Sequence, residues 1–119
     1  MDQSEKIDAA IEAHAQWAVS LRMAIVQGGS EFTPEAVRSD KNCEFGKWFY
    51  GDFPAQFKKL PIYQEIKELH ANFHKEAAKV LELALQKKRE EALNLMDIHS
   101  EFKRLSIALM IKLNHLNKL

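Results

Sequence analysis

Residues 60–85 read LPIYQEIKELHANFHKEAAKVLELAL. Ile62, Ile66, Leu69, Phe73, Ala77, Val80 and Ala84 recur every three or four positions, the spacing of one face of an α-helix. The stretch opens at Leu60-Pro61, and Lys87-Lys88-Arg89-Glu90-Glu91 marks a solvated corner after it. Upstream, Ile7, Ile11, His14, Ala18, Leu21 and Ile25 keep the same rhythm. Asp2 and Glu5 resemble a capping box at the start of that helix, and Gly28-Gly29 ends it. This predicts a first helix over about residues 3–27. Downstream, Ala92, Leu95, His99, Phe102, Leu105, Leu109, Leu113 and Leu116 predict one last helix running to the C-terminus. No period-two strand pattern, internal repeat or low-complexity tract interrupts these helices.

Residues 28–60 are of another kind. Pro34, Gly46, Gly51 and Pro54 punctuate them and no long period survives. Thr33-Pro34-Glu35 is suited to starting one short helix, because proline fits the first helical position. Residues 43–50 are suited to another. Connections this long in compact domains are usually functional. The expectation is an all-α fold: a small helical bundle of three long helices, with short helices in an irregular segment standing where a fourth would be. Ile107, Met110 and Ile111 widen the apolar stripe of the last helix beyond a single face and point to a homodimer.

The chain has 119 residues, enough for one domain with one core. Its 17 Lys and Arg balance its 17 Asp and Glu, so no net basic field invites nucleic acid. The apolar runs are too short and too charged to span a membrane. The polar start, MDQSEKIDAA, is unlike a secretory signal. A single cysteine, Cys43, excludes an internal disulfide framework and fits a reducing, cytoplasmic setting.

The candidate site grows out of the histidines. His70 and His74 are four apart, so they lie one turn apart on one helical face and can converge on one ion. His14 falls on the apolar seam of the first helix, where an unpaired imidazole is costly to bury. Facing His70 and His74 across the bundle would give it a partner. Cys43 supplies a fourth donor, and three imidazoles with one thiolate make a fitting shell for tetrahedral zinc. Gly46 leaves room for the backbone to fold back beside the ion, and Phe45 and Trp48 can cover it. The competing reading for each residue is plain: boundary histidines, a core histidine, an inert thiol and core tryptophans. His99 reads as a core histidine with a hydrogen-bond partner.

Other chemistries fit less well. Ala71 follows His70 where a zinc protease of the His-Glu type places its glutamate. No histidine has a glutamate three positions before it, as a di-iron bundle requires. A shell of four protein ligands leaves no open position for substrate, so the expectation is a binding protein and not an enzyme.

His14-x-x-Trp17, Cys43-Glu44-Phe45-Gly46-Lys47-Trp48 and His70-x-x-x-His74 together resemble the signature of the chemoreceptor zinc-binding (CZB) domain family. The resemblance runs from about residue 5 to 115. It implies a helical bundle binding one zinc through His14, Cys43, His70 and His74, with Trp17, Phe45, Gly46 and Trp48 around the site. It further implies a regulatory module of bacterial cytoplasmic signalling proteins such as chemoreceptors and diguanylate cyclases. Such modules are associated with sensing zinc or oxidants such as hypochlorous acid, here with Cys43 as a redox switch, and some dimerise. On this reading residues 1–119 are a single sensor domain whose output partner is a signalling protein. Two rivals stand beside it: a hemerythrin-like metal-dependent bundle, and a purely structural zinc dimerisation module.

Overall fold

The computed structural model describes residues 3–41 and 43–118. Asp2 of the expected capping box lies outside the described residues. Among the described residues seven helices follow one another: α1 (Gln3–Gln27), α2 (Pro34–Arg38), α3 (Glu44–Tyr50), α4 (Ala55–Lys58), α5 (Pro61–Leu85), α6 (Arg89–Asn94) and α7 (Glu101–Asn117). The fold is all-α, and no strand occurs among the described residues.

The long helices α1, α5 and α7 pack on one another in all three pairings. Their inward residues make the core: Ile7, Leu21 and Ile25 from α1, Ile66, Phe73, Val80 and Leu81 from α5, and Phe102, Leu105, Leu109 and Leu113 from α7. Burying each such side chain stabilises the fold by about 1.5–3 kcal/mol. Across the surface, Glu65 of α5 pairs with Lys112 of α7 at 2.6 Å. Asn117 donates to Asp8 at 2.9 Å, tying the end of α7 to the start of α1.

The ends of the helices follow from capping chemistry. Gly28 closes α1 at φ 67, a left-handed conformation that a glycine adopts without strain. The end of α5 uses Lys87 at φ 61 in the same role. There the Lys88 amide donates to Leu83 and the Lys87 amide to Ala84, the paired bonds of a Schellman motif. Thr33 caps α2 through its hydroxyl, which accepts from the Ala36 amide at 3.2 Å, and Pro34 takes the first helical position.

Three expectations need correction. The last helix is not continuous: α6 stops at Asn94, turns follow, and α7 begins at Glu101. The side chain of Asp97 accepts from the His99 amide, and Ser100 Oγ accepts from the Lys103 amide. These local bonds offer the backbone an alternative to helix at the break. His99 consequently sits exposed in a turn and is no core histidine. On α5, the buried face includes His70 and His74, whereas Leu69, expected on the seam, is only partly buried.

Candidate metal centre

α1 and α5 place three histidines in the interior: His14 is 3%, His70 0% and His74 2% exposed. Burial at this depth disfavours the charged imidazolium and so favours neutral rings. Desolvation lowers His14 from its ordinary value to about 4, with His74 adding to the effect. Desolvation also takes His70 to about 2, helped by His14 and His74. It lowers His74 too, against the opposing pull of the hydrogen bond His74 donates to the Val37 carbonyl and of the Asp40 carboxylate.

Two of the rings are oriented by backbone carbonyls. His14 Nδ1 donates to the Ala10 carbonyl at 2.6 Å, one turn back on α1. His74 Nδ1 donates to the Val37 carbonyl at 2.8 Å. The short helix α2 packs on α5 and so delivers that carbonyl. Each bond puts the ring proton on Nδ1 and leaves Nε2 with a free lone pair.

Cys43 joins them from the start of α3. It is the N-cap residue, and its sulfur accepts from the Gly46 amide at 3.3 Å. Its Sγ lies 3.4 Å from His70 Nε2, which is 3.1 Å from His74 Nε2. Gly46 makes this approach feasible. A Cβ on it would sit 1.9 Å from the carbonyl oxygen of Asp40, so any larger residue would push the turn away. Burial holds the Cys43 thiol above its ordinary value, with the Asp40 carboxylate adding to that and amide hydrogen bonds opposing it.

Donor atoms of His14, Cys43, His70 and His74 all lie within 4.8 Å of one another. Tetrahedral zinc with bonds of about 2.0–2.3 Å needs donors about 3.3–3.6 Å apart. The 3.1 and 3.4 Å separations approach that spacing. The group also contains a buried nitrogen without a hydrogen-bond partner, His14 Nε2. Leaving such an atom unpaired costs about 1–3 kcal/mol. A cation among the four donors would satisfy it, so the residues present fit a metal ion.

Aromatic rings lie around the group. Phe45 meets His14 at 5.9 Å and His70 at 5.0 Å between ring centroids. Trp48 packs on Phe45 and Phe53, and Trp17 on Phe32. Cover is incomplete at the sulfur. A cavity of about 310 Å³ between α1 and α3 is lined by His14, Trp17, Cys43, Phe45 and Trp48. A second, of about 290 Å³, reaches Cys43 and His74 past Trp17 and Phe32. Sequence reasoning overlooked Asp40 and Tyr50. The Asp40 carboxylate lies 3.8 Å from His70 Nδ1 and accepts a short hydrogen bond from the Tyr50 hydroxyl. An aspartate three residues before Cys43 was the only available signal. His115, like His99, is exposed and outside the group.

A family profile described as the chemoreceptor zinc-binding domain matches residues 14–81, a span that contains all four donors. No curated protein and no solved structure gives a significant match. The profile covers more than half of the chain, and the gathered His-Cys-His-His group agrees with zinc as the cofactor. The chain therefore belongs to the chemoreceptor zinc-binding domain family, regulatory zinc-binding modules found in chemoreceptors and other signalling proteins.

Proposed function

We propose that the chain forms one sensory domain that holds zinc through His14 Nε2, Cys43 Sγ, His70 Nε2 and His74 Nε2 and reports on oxidants through Cys43. The observation that carries this reading is the asymmetry of the group. The three histidines are almost fully buried, whereas Cys43 is half-buried and lines both cavities that reach the group. Zinc, when bound, favours the thiolate form of Cys43 over a thiol that burial otherwise keeps protonated.

The chain's own residues supply the switch. The thiolate attacks the chlorine of hypochlorous acid, forming an S–Cl bond and releasing hydroxide. Water then displaces chloride to give sulfenic acid and a proton, so sulfur loses two electrons and chlorine gains them. The oxidised sulfur is a weaker donor and a poorer cap for α3. The segment anchored at Cys43 is then free to leave α1, while His14 and His74 keep their carbonyl partners. That makes the segment beginning at Cys43 a two-position element biased by a local chemical event.

The resemblance supports a cytoplasmic setting and a bacterial signalling output of chemoreceptor or diguanylate cyclase type. No helix among the described residues is long and apolar enough to cross a membrane. Ile107 and Ile111 are 47% and 61% exposed on the outer face of α7 and are the surface for a homodimer. The rival hemerythrin-like reading needs further inward histidines, and His99 and His115 are both exposed.

The test is mass spectrometry of Cys43 in the zinc-loaded protein after matched exposures to hypochlorous acid and hydrogen peroxide. Rapid modification by the first and slow modification by the second is expected. Equal, slow rates would remove the oxidant reading and leave a structural or zinc-responsive site.

A further inference from the structure

His70 differs from the other two histidines. Its Nδ1 is buried and has no hydrogen-bond partner at normal distance, whereas Nδ1 of His14 and of His74 donates to a carbonyl. Its Nε2 faces His74 Nε2 at 3.1 Å, and the latter is unprotonated because His74 Nδ1 carries the proton. Neutral His70 therefore has two choices. With the proton on Nε2 it donates to His74 and closes the site against a cation. With the proton on Nδ1 it leaves Nε2 free to ligate, and the proton needs an acceptor. The nearest charged acceptor is Asp40, whose carboxylate oxygen lies 3.8 Å from Nδ1. That carboxylate is itself held: Tyr50 donates its hydroxyl to the same oxygen. The lysines Lys41 and Lys67 stand over the Tyr50 ring at 5.6 and 5.9 Å, adding positive charge beside the pair.

We propose that Asp40, held by Tyr50, is the positioning residue that keeps the His70 proton on Nδ1 and so keeps Nε2 open for the metal. The same residue reaches the other side of the site through its backbone. Its carbonyl lies 3.7 Å from Cys43 Sγ and packs against Gly46. Asp40 thus sets the orientation of His70 with its side chain and the approach of Cys43 with its main chain. Partners of this kind raise the basicity of a ligating imidazole, and their loss typically costs about 10- to 100-fold in metal affinity. The inference rests on the four-donor reading above.

The experiment compares wild type, Asp40→Asn, Tyr50→Phe and the double variant. Long-range ¹H–¹⁵N spectra of the zinc-free proteins report which nitrogen of His70 is protonated, and zinc competition reports affinity. In wild type the expected His70 tautomer is Nδ1–H. In Asp40→Asn it shifts towards Nε2–H, and zinc affinity falls about 10- to 100-fold. Tyr50→Phe is expected to lower affinity by a smaller factor and to add nothing in the Asp40→Asn background. A residue needed only for packing would lower the melting temperature without moving the tautomer. Wild-type affinity with an unshifted Nδ1–H tautomer in Asp40→Asn overturns the inference while leaving the site intact. If wild type binds zinc no better than His14→Ala or Cys43→Ser, the four-donor reading fails and the inference falls with it.

Discussion

His14 and His70 are neutral because the fold withholds water from them, and that has a consequence for the zinc-free protein. An unfolded chain titrates its histidines near 6.5, whereas the fold lowers His14 to about 4 and His70 to about 2. Between these values the unfolded chain binds more protons than the folded one. Stability therefore rises with pH across the window, and is lost as pH falls from 6.5 towards 4 for His14 and further for His70. Each imidazole contributes a slope of about 1.4 kcal/mol per pH unit. Denaturant unfolding of the zinc-free protein is expected to show a steep loss below that upper value. His14→Gln should flatten the profile by one imidazole's share. A midpoint that does not move with pH would show that the rings are not desolvated.

The short helices add Val37, Phe45 and Phe49 to the core, and they also deliver groups to the site. α2 brings the Val37 carbonyl to His74, and α3 begins at the site with Cys43 as its cap. The fit of α3 depends on Gly46, since a methyl group there collides with the Asp40 backbone. Gly46→Ala is expected to weaken zinc binding at least ~10-fold through displacement of Cys43, at a stability cost of about 1–3 kcal/mol. The helical circular dichroism of α1, α5 and α7 should stay near wild type. Wild-type zinc affinity in this variant would show that the turn adapts. At this scale the sequence was legible where apolar periodicity is long. The expected span of the first helix, 3–27, matches α1, and Pro61 starts α5. It was misread at residues 95–100, where Asp97 and Ser100 bond to nearby amides and outweigh a run of apolar spacing that continues straight through. The seam of α5 was drawn one position off at Leu69, because periodicity counts histidine as polar and assigns the inward place to leucine.

Across the whole molecule, three layers meet at one point: the α1–α5 core, the α2–α3 segment and the cavities beside Cys43. His14, Cys43, His70 and His74 could be named from residue type, spacing and a familiar pattern before any coordinates. The Ala10 and Val37 carbonyls could not, because every residue has a carbonyl and only tertiary packing chooses which ones face a ring. The proposed homodimer would use the outer face of α7. Ile107→Lys with Ile111→Lys is expected to convert a homodimer to a monomer in analytical ultracentrifugation with zinc binding retained, whereas a wild-type monomer would remove the dimer. The most direct test of the account is X-ray absorption at the zinc edge of the purified protein. One zinc per chain is expected, with one sulfur at about 2.3 Å and three nitrogens at about 2.0 Å, and with the sulfur lost in Cys43→Ser. A protein without zinc, or a wild-type shell without sulfur, would contradict it.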